Sequence, residues 1–372
     1  MRIIHIITGL GNGGAENTLY KICKYDNLNN HLVISLKKPE KYYSLLKKLG
    51  IKVYCLDFKI YSIIKFIYLI RLLRCLKPDI VQTWLVHGDF IGGIAARLAG
   101  LKNIIWNVRY SNLEFGKAKL STILIIKILA KFSPLIPKFI IVVSKSAKKT
   151  CIELGYDIKK LFLITNGYDL SILKPFKISK IRSKYNIKKK IPILGKIARY
   201  DAKKDHYNLL EALNLINKKK IKFYCVLVGG DINKNNVSLV NKIKKFRLSN
   251  CTKLLGQKSN IAEIMNEIDL LVQSSSYGEG FPNVVAEAMA CGTPCVVTNV
   301  GDAAFIVGKT GWVVPPKNPK KLAQAIEKAL LLVNKNTFKK KNKSRLRIKK
   351  NFDIKKMLNQ YRIVWNKLSK IV

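Results

Sequence analysis

The chain alternates short, nearly continuous apolar runs with longer stretches of helical spacing, and this alternation limits the folds open to it more than any other feature. Runs rich in β-branched residues fall at 2–8 (RIIHIIT), 31–36 (HLVISL), 51–56, 79–83 (DIVQT), 103–108 and 138–143 (KFIIVV), with a shorter one at 161–165. A second series falls at 192–198 (PILGKIA), 222–228 (KFYCVLV), 252–255, 269–273 (DLLVQ), 294–298 (PCVVT) and 311–314. Unbroken apolar runs suit strands covered on both faces, hence parallel sheets with helical crossovers. Between the two series lies a polar, basic stretch, KPFKISKIRSKYNIKKK. At 372 residues the chain is long enough for two domains. The expectation is an α/β chain of two doubly wound domains facing a central cleft. They would be an N-terminal domain 1–174, a linker 175–190, a C-terminal domain 191–352 and a helix 353–372 packing back on the first domain.

Composition narrows the class. Hydrophobic residues make up 48% of the chain, which suits globular cores rather than a disordered basic tail. There are 69 Lys+Arg against 22 Asp+Glu, a formal charge of +47. Lys is abundant even in stretches that read as plain surface, so compositional bias accounts for much of this charge. Attraction to lipid headgroups, phosphates or nucleic acid is compatible with the same numbers. The eight cysteines form no C-x-x-C and no zinc spacing, which fits reduced thiols in a cytoplasm. The start, MRIIHIITGLGNGGAE, has no small-residue cleavage site before its glycines and reads as a first buried strand rather than a signal peptide. The most apolar stretch, LSTILIIKILAKFSPLIPKFIIVVS, is interrupted by Lys127, Lys131, Pro134 and Pro137, and reads as helix, turn and strand rather than a membrane span.

Ligands of doubly wound sheets bind outside the carboxyl ends of the strands, and the distinctive stretches stand there. After the first strand, Gly9, Gly11 and Gly14 fit G-x-G-x-x-G before a helix, a turn that lets backbone N–H groups approach a phosphate. A nicotinamide enzyme would place an acid near the end of the second strand to hold the ribose. Here that strand runs into Lys37 and Lys38, which argues against NAD and leaves an NADP enzyme as an alternative. His87, in QTWLVHGDFIGGIAARLAG, follows a strand and begins a helix. It is either a packed or capping histidine or one reaching into the cleft. Arg199 ends the strand 192–198, and Lys204 opens the next helix. Cations beside a helix N-terminus make an anion site, although in so basic a chain the pair could arise by chance.

The stretch SYGEGFPNVVAEAMACGTP holds Glu279 and Glu287 with seven residues between them. Glycines flank Glu279, Pro282 fits the first turn of a helix, and the N–H groups of Asn283 and Val284 are placed to meet an anion. Gly292 closes that helix and Pro294 follows. Glu287, one turn in, points toward whatever the N-terminus holds.

Together these residues resemble the family 4 retaining glycosyltransferases, of GT-B fold, over nearly the whole chain. The resemblance runs through GLGNGGAE, the strand leading to His87, NGYD at Asn166–Asp169, Arg199 with Lys204, GQKSNIAEIMNEIDLLVQSS and the E-x7-E stretch, then AMACGTPCVVTNVGDAAFIVGKTGWVVPP. It implies transfer of a sugar from a UDP- or GDP-sugar to a glycan or lipid-linked acceptor with retention of configuration, and with no metal or other cofactor. Consistent with that, the sequence has no D-x-D. Carried over by motif, Arg199 and Lys204 would neutralise the departing diphosphate. Gly280, Phe281, Pro282, Asn283 and Val284 would line it through the amides around Phe281–Val284. Glu287 would bind the ribose hydroxyls, Glu279 the donor sugar's hydroxyls, and Lys258 the base. Gly13 and Gly14 would approach phosphate and acceptor, and His87 would stand beside the anomeric carbon. The resemblance also implies front-side attack, a diphosphate oxygen taking the acceptor's proton. Phe305 departs from the family, many of whose members place a Glu there.

The stretch 59–77, KIYSIIKFIYLIRLLRCLK, reads either as a core-facing helix with surface cations or as an interfacial helix on anionic lipid. With the net charge it suggests a cytoplasmic enzyme, peripheral on the inner membrane face. Acceptor choice would lie in the loop around Tyr110–Lys117. A nucleic-acid-binding protein is disfavoured because the lysines are dispersed and not interleaved with aromatics. A catalytically dead scaffold of the same fold is disfavoured because His87, Arg199, Lys204, Glu279 and Glu287 are all present.

Overall fold

The computed structural model describes residues 1–58, 62–110, 120–335 and 337–369. These divide into two compact units, residues 1–167 with 355–372 and residues 168–354. The first unit is built on β1 (Arg2–Ile7), β2 (Asn30–Ser35), β3 (Lys52–Cys55), β4 (Ile80–Trp84), β5 (Ile104–Val108), β6 (Phe139–Val142) and β7 (Leu161–Leu163). They form one parallel sheet in the order β3-β2-β1-β4-β5-β6-β7. The second unit carries β8 (Ile193–Ile197), β9 (Tyr224–Val228), β10 (Thr252–Leu254), β11 (Leu270–Gln273), β12 (Cys295–Thr298) and β13 (Trp312–Val314), parallel in the order β10-β9-β8-β11-β12-β13. Each strand falls within an apolar run read from the sequence, except that β2 begins and β4 ends one residue outside its run. Central strands such as β1, β4, β5 and β9 are buried along most or all of their length, as a sheet covered on both faces requires.

Both sheets reverse strand order at one point, between β1 and β4 in the first and between β8 and β11 in the second. Loops leaving the carboxyl ends there diverge to opposite faces and open a crevice. That topology places the functional stretches.

The segment 175–190 is bonded to the second unit. It holds a short helix, Lys180–Lys184, whose Ile181 N–H donates to the Glu267 carboxylate. Arg182 pairs with Asp269 at 2.6 Å, and the Phe176 N–H donates to Asn266 Oδ1 at 2.8 Å. The helix Ile354–Ser369 enters the first unit at Lys355. Trp365 Nε1 donates to Gln82 Oε1 at 2.8 Å, and Tyr361 receives the Arg109 guanidinium at 2.8 Å. Arg362 closes on the buried Asp26 at 2.6 Å.

The helix Ile63–Leu76 buries Leu69 and Leu73 and leaves Ile63, Ile64, Ile67 and Tyr68 exposed beside the exposed Arg71 and Arg74. Residues 59–61 of the expected interfacial stretch and 111–117 of the expected acceptor loop lie outside the described residues. A second helix, Leu120–Phe132, also exposes apolar residues, Leu120 and Leu124, alongside Lys127 and Lys131. Among the described residues no helix is long and apolar enough to cross a membrane.

Candidate functional site

In the second unit the site grows from the carboxyl ends of β8 and β11. After β8 the chain turns through Arg199, Tyr200 and Asp201 into a short 3-10 turn, Ala202–Lys204. The Asp201 carboxylate accepts the Lys203 N–H at 2.9 Å. Asp205, in the left-handed region at φ 44°, then caps the helix His206–Lys218 by accepting the Asn208 N–H at 3.0 Å. After β11 the chain runs through Ser274, Ser275 and Ser276 to Glu279. The Ser276 N–H donates to the Lys203 carbonyl at 2.8 Å, and Ser274 Oγ donates to the Asp205 carbonyl at 2.8 Å. The two loops are thereby sewn together.

Lys204 Nζ stands 2.6 Å from Glu279 Oε1. The same oxygen accepts Ser275 Oγ at 2.7 Å and the Gln273 amide at 3.5 Å. Burial alone would raise the Glu279 carboxyl; the Lys204 charge and these hydrogen bonds outweigh it and hold the group below its usual range. Arg199 is mostly exposed and pairs with Asp201 at 3.0 Å. The two cations read as an anion site therefore each rest on a carboxylate of the same unit. An arriving anion competes with Glu279 for Lys204 and with Asp201 for Arg199.

Two glycines allow this close packing. Gly301 has φ 58°, and a Cβ there would stand 2.2 Å from the Glu279 carbonyl oxygen. Gly229, at φ 151°, would place a Cβ 2.1 Å from the Ala198 carbonyl oxygen. No side chain fits at either position.

The helix expected after Pro282 is Asn283–Ala290, with Pro282 at the N-cap position, one residue ahead of the helical turn assigned to it from the sequence. Pro282 has no side-chain oxygen for capping and makes no side-chain cap. Tyr168 Oη donates to Asn283 Oδ1 at 2.5 Å. Glu287 is half-buried one turn in. Phe281 packs edge-on to Phe352 at 5.5 Å, and Phe305 meets the same ring at 5.8 Å. The residue that departs from the family pattern thus completes an aromatic cluster with Phe281, in the segment expected from the sequence to line the diphosphate. Lys258 is exposed in the loop after β10, two strands from β8, and no described hydrogen bond or ion pair joins it to the cluster.

In the first unit, His87 ends a short helical turn, Leu85–His87, directly after β4. Leu85 takes φ 69°, a left-handed conformation costing about 1 kcal/mol for such a residue. His87 is half-buried, and desolvation together with the Lys37 charge keeps its imidazole below the ordinary pKa. The next residues form a π-turn, Gly88–Gly92, that buries Asp89. The glycine turn after β1 is lined by carboxylates. The Leu10 N–H donates to Glu40 Oε2 at 2.8 Å, and a Cβ on Gly13 would stand 2.3 Å from Glu16 Oε2. Gly13 is the N-cap and Gly14 the first residue of the helix Gly14–Tyr25. The openness to phosphate expected of this turn is thereby reduced: Glu40 already holds one of its N–H groups and Glu16 crowds its cap.

Three buried groups were not among those singled out from the sequence. His5, Cys23 and His31 place their ligand atoms within 4.8 Å of one another. Trp84 Nε1 donates to His5 Nδ1 at 3.2 Å, so His5 carries its proton on Nε2 and donates to His31 Nδ1 at 3.0 Å. His31 Nε2 then donates to Asp26 at 2.9 Å. Every ring nitrogen is engaged, which makes this a hydrogen-bonded tie rather than a metal centre. Asp89 accepts Thr83 Oγ1 at 2.6 Å, and burial pushes its carboxyl up to about 7. Lys196, in the middle of central strand β8, is fully buried beneath the Lys204–Glu279 pair.

Family models match in two parts, Glycosyltransferase Family 4 over residues 12–172 and Glycosyl transferases group 1 over 177–351. The chain belongs to the glycosyltransferases of GT-B fold and carries both domains of that class. One relative, the UDP-Gal:alpha-D-GlcNAc-diphosphoundecaprenol alpha-1,3-galactosyltransferase of Escherichia coli, is 31% identical over 63% of this chain, which spans 61% of that relative's length. Another, the N,N'-diacetylbacillosaminyl-diphospho-undecaprenol alpha-1,3-N-acetylgalactosaminyltransferase of Campylobacter jejuni, is 29% identical over 79% of this chain and 80% of its own. Among solved structures, Anabaena HepE in complex with UDP superposes with a TM-score of 0.86 at 21% identity, covering 99% of this chain and 100% of that one. At that identity the likeness speaks for the fold.

Proposed function

We propose that this glycosyltransferase moves a hexosyl or N-acetylhexosaminyl group from a UDP-sugar to a diphosphate-lipid-linked glycan acceptor, with retention, during surface-polysaccharide assembly. The observation that carries the reading is the Lys204–Glu279 pair, 2.6 Å apart where β8 and β11 diverge. Both relatives are named for acceptors linked to undecaprenyl diphosphate, and one is named for a UDP-sugar donor. HepE is described with UDP and with UDP-glucose.

In this reading the diphosphate lies over the N-terminus of Asn283–Ala290, whose dipole and amides favour negative charge. It draws Lys204 and Arg199 from their carboxylates. Glu279, released, accepts hydroxyls of the donor sugar, and Glu287 accepts those of the ribose, since hydroxyls need acceptors. Charge growing on the leaving diphosphate meets fixed cations, which stabilises an oxocarbenium-like transition state. Lys258 serves the base. His87, with its imidazole neutral near pH 7, is suited to accept or donate a hydrogen bond at the sugar. Glu16 and Glu40 disfavour phosphate at Gly13 and Gly14, so that turn serves acceptor hydroxyls.

The exposed Ile63, Ile64, Ile67 and Tyr68, flanked by Arg71 and Arg74, suit peripheral contact with an anionic membrane where such an acceptor resides. Release of nucleotide across a panel of UDP- and GDP-sugars tests the donor reading, with Glu287→Ala as control. Turnover of some UDP-sugar that falls in the variant supports it. Turnover undiminished in Glu287→Ala refutes the site.

A further inference from the structure

Lysine is rarely buried without a partner, because desolvating its charge is costly. Lys196 sits on β8, between β9 and β11, and is 2% exposed. Its Nζ lies 2.6 Å from the Lys204 carbonyl and 2.7 Å from Ser274 Oγ. Ser274 commits its own proton to the Asp205 carbonyl at 2.8 Å and so accepts from Lys196. Both contacts therefore use Lys196 as donor. A neutral amine has two N–H groups and satisfies both; the third proton of an ammonium has no acceptor among the described residues.

The geometry ties this group to the donor site. The carbonyl that Lys196 holds belongs to Lys204, and the hydroxyl belongs to the loop leading to Glu279. We propose that Lys196 is a positioning residue of the donor site: neutral while the site is empty, it braces the turn carrying Lys204 and takes up a proton when an anionic diphosphate enters. This rests on the reading of that site as a nucleotide-sugar site.

The charges around Lys196 support the cycle. Burial, then the Lys204 charge, lower its pKa to about 7, while Asp205, Glu279 and Cys225 act the other way. From the helix that starts at His206, that imidazole lies near it and is kept neutral chiefly by burial. A diphosphate adds negative charge within reach of the same field and favours the ammonium. The proton comes from solvent, and the affinity for the diphosphate falls as pH rises above 7.

The test uses the full chain and UDP-glucose, whose diphosphate diester does not titrate near neutrality. Calorimetry at pH 7.5 in buffers of different ionisation enthalpy should show net uptake of a proton fraction on binding, up to about one proton. The dissociation constant should rise by up to about tenfold between pH 7.5 and 8.5. In Lys196→Met both effects should vanish, and kcat should fall about 10- to 100-fold as Lys204 loses its brace. In Lys196→Arg, which keeps a charge but cannot titrate, proton uptake should also vanish. Binding without proton uptake in the wild type overturns the proposal. Should UDP-glucose not bind, the donor reading fails, and side-chain NMR of labelled lysines in the empty protein decides the Lys196 inference separately. A lysine titrating near pH 7 that is missing from Lys196→Met supports it, and a Lys196 charged above pH 9 overturns it.

Discussion

Replacing Lys204 with Met should destabilise the second unit measurably, and the structure sets the size of the effect. Lys204 keeps 27% of its side chain exposed and Glu279 11%. Removing one partner of a fully buried pair costs about 3–5 kcal/mol because the other charge is stranded. Here Glu279 keeps Ser275 and Gln273 as donors, and Lys204 is partly hydrated already. The expected loss is therefore about 2 kcal/mol, or roughly 4–8 °C in Tm for a unit of this size. Glu279→Gln, which leaves Lys204 to water and still offers Ser275 an acceptor, should cost about 1 kcal/mol. The double variant should lose no more than Lys204→Met alone, a coupling of about 1 kcal/mol or more. The folded Glu279 carboxyl is held low, so the pair's contribution is present above the ordinary glutamate range and lost as pH falls through the folded value. The gap between wild type and Lys204→Met should then close below about pH 4. Thermal unfolding of the four proteins from pH 3.5 to 7.5 is the assay. Strictly additive losses, or a gap independent of pH, would refute the coupling.

Three further outcomes follow from the same geometry. Glu287→Ala should raise KM for the donor about tenfold with a smaller change in kcat, measured by nucleotide release, if its role is ribose binding. Ile64→Asp with Ile67→Asp should weaken cosedimentation with anionic liposomes about tenfold without altering turnover of a soluble acceptor, and salt should weaken the wild type. Asp89 is fully buried with its carboxyl raised to about 7, so its ionisation opposes folding and stability falls as pH rises from the ordinary aspartate range to about 7. Relative to wild type, Asp89→Asn should accordingly gain about 2 kcal/mol of stability between pH 5.5 and pH 8; equal differences at both pH values would contradict this.

The fold was legible because its signal is local. A run such as KFIIVV or KFYCVLV leaves few options but a covered strand, and the order of runs leaves few topologies. Glu279, Glu287, Arg199 and Lys204 stood out as candidates because they follow strand ends or lie in a glycine-flanked loop and the helix it opens. What could not be read was which of them face each other. Lys204 and Glu279 are 75 positions apart, and nothing in either stretch says that a cation assigned to a phosphate rests on a carboxylate assigned to a sugar. Glu40 folding over the Gly9 turn and Asp26 receiving Arg362 are likewise products of tertiary packing. Lys196 did leave a trace, a lone lysine inside the apolar run PILGKIA. In a central strand covered on both faces, such a residue has to be buried, and a buried amine needs a reason to be there.

The central claim is that the carboxyl ends of β8 and β11 hold a nucleotide diphosphate. Calorimetric titration of UDP into the full chain, its Lys204→Ala variant and its Glu287→Ala variant tests it most directly. The account predicts saturable binding to the wild type, weakened about tenfold or more in each variant. Binding of equal strength in all three proteins would contradict it.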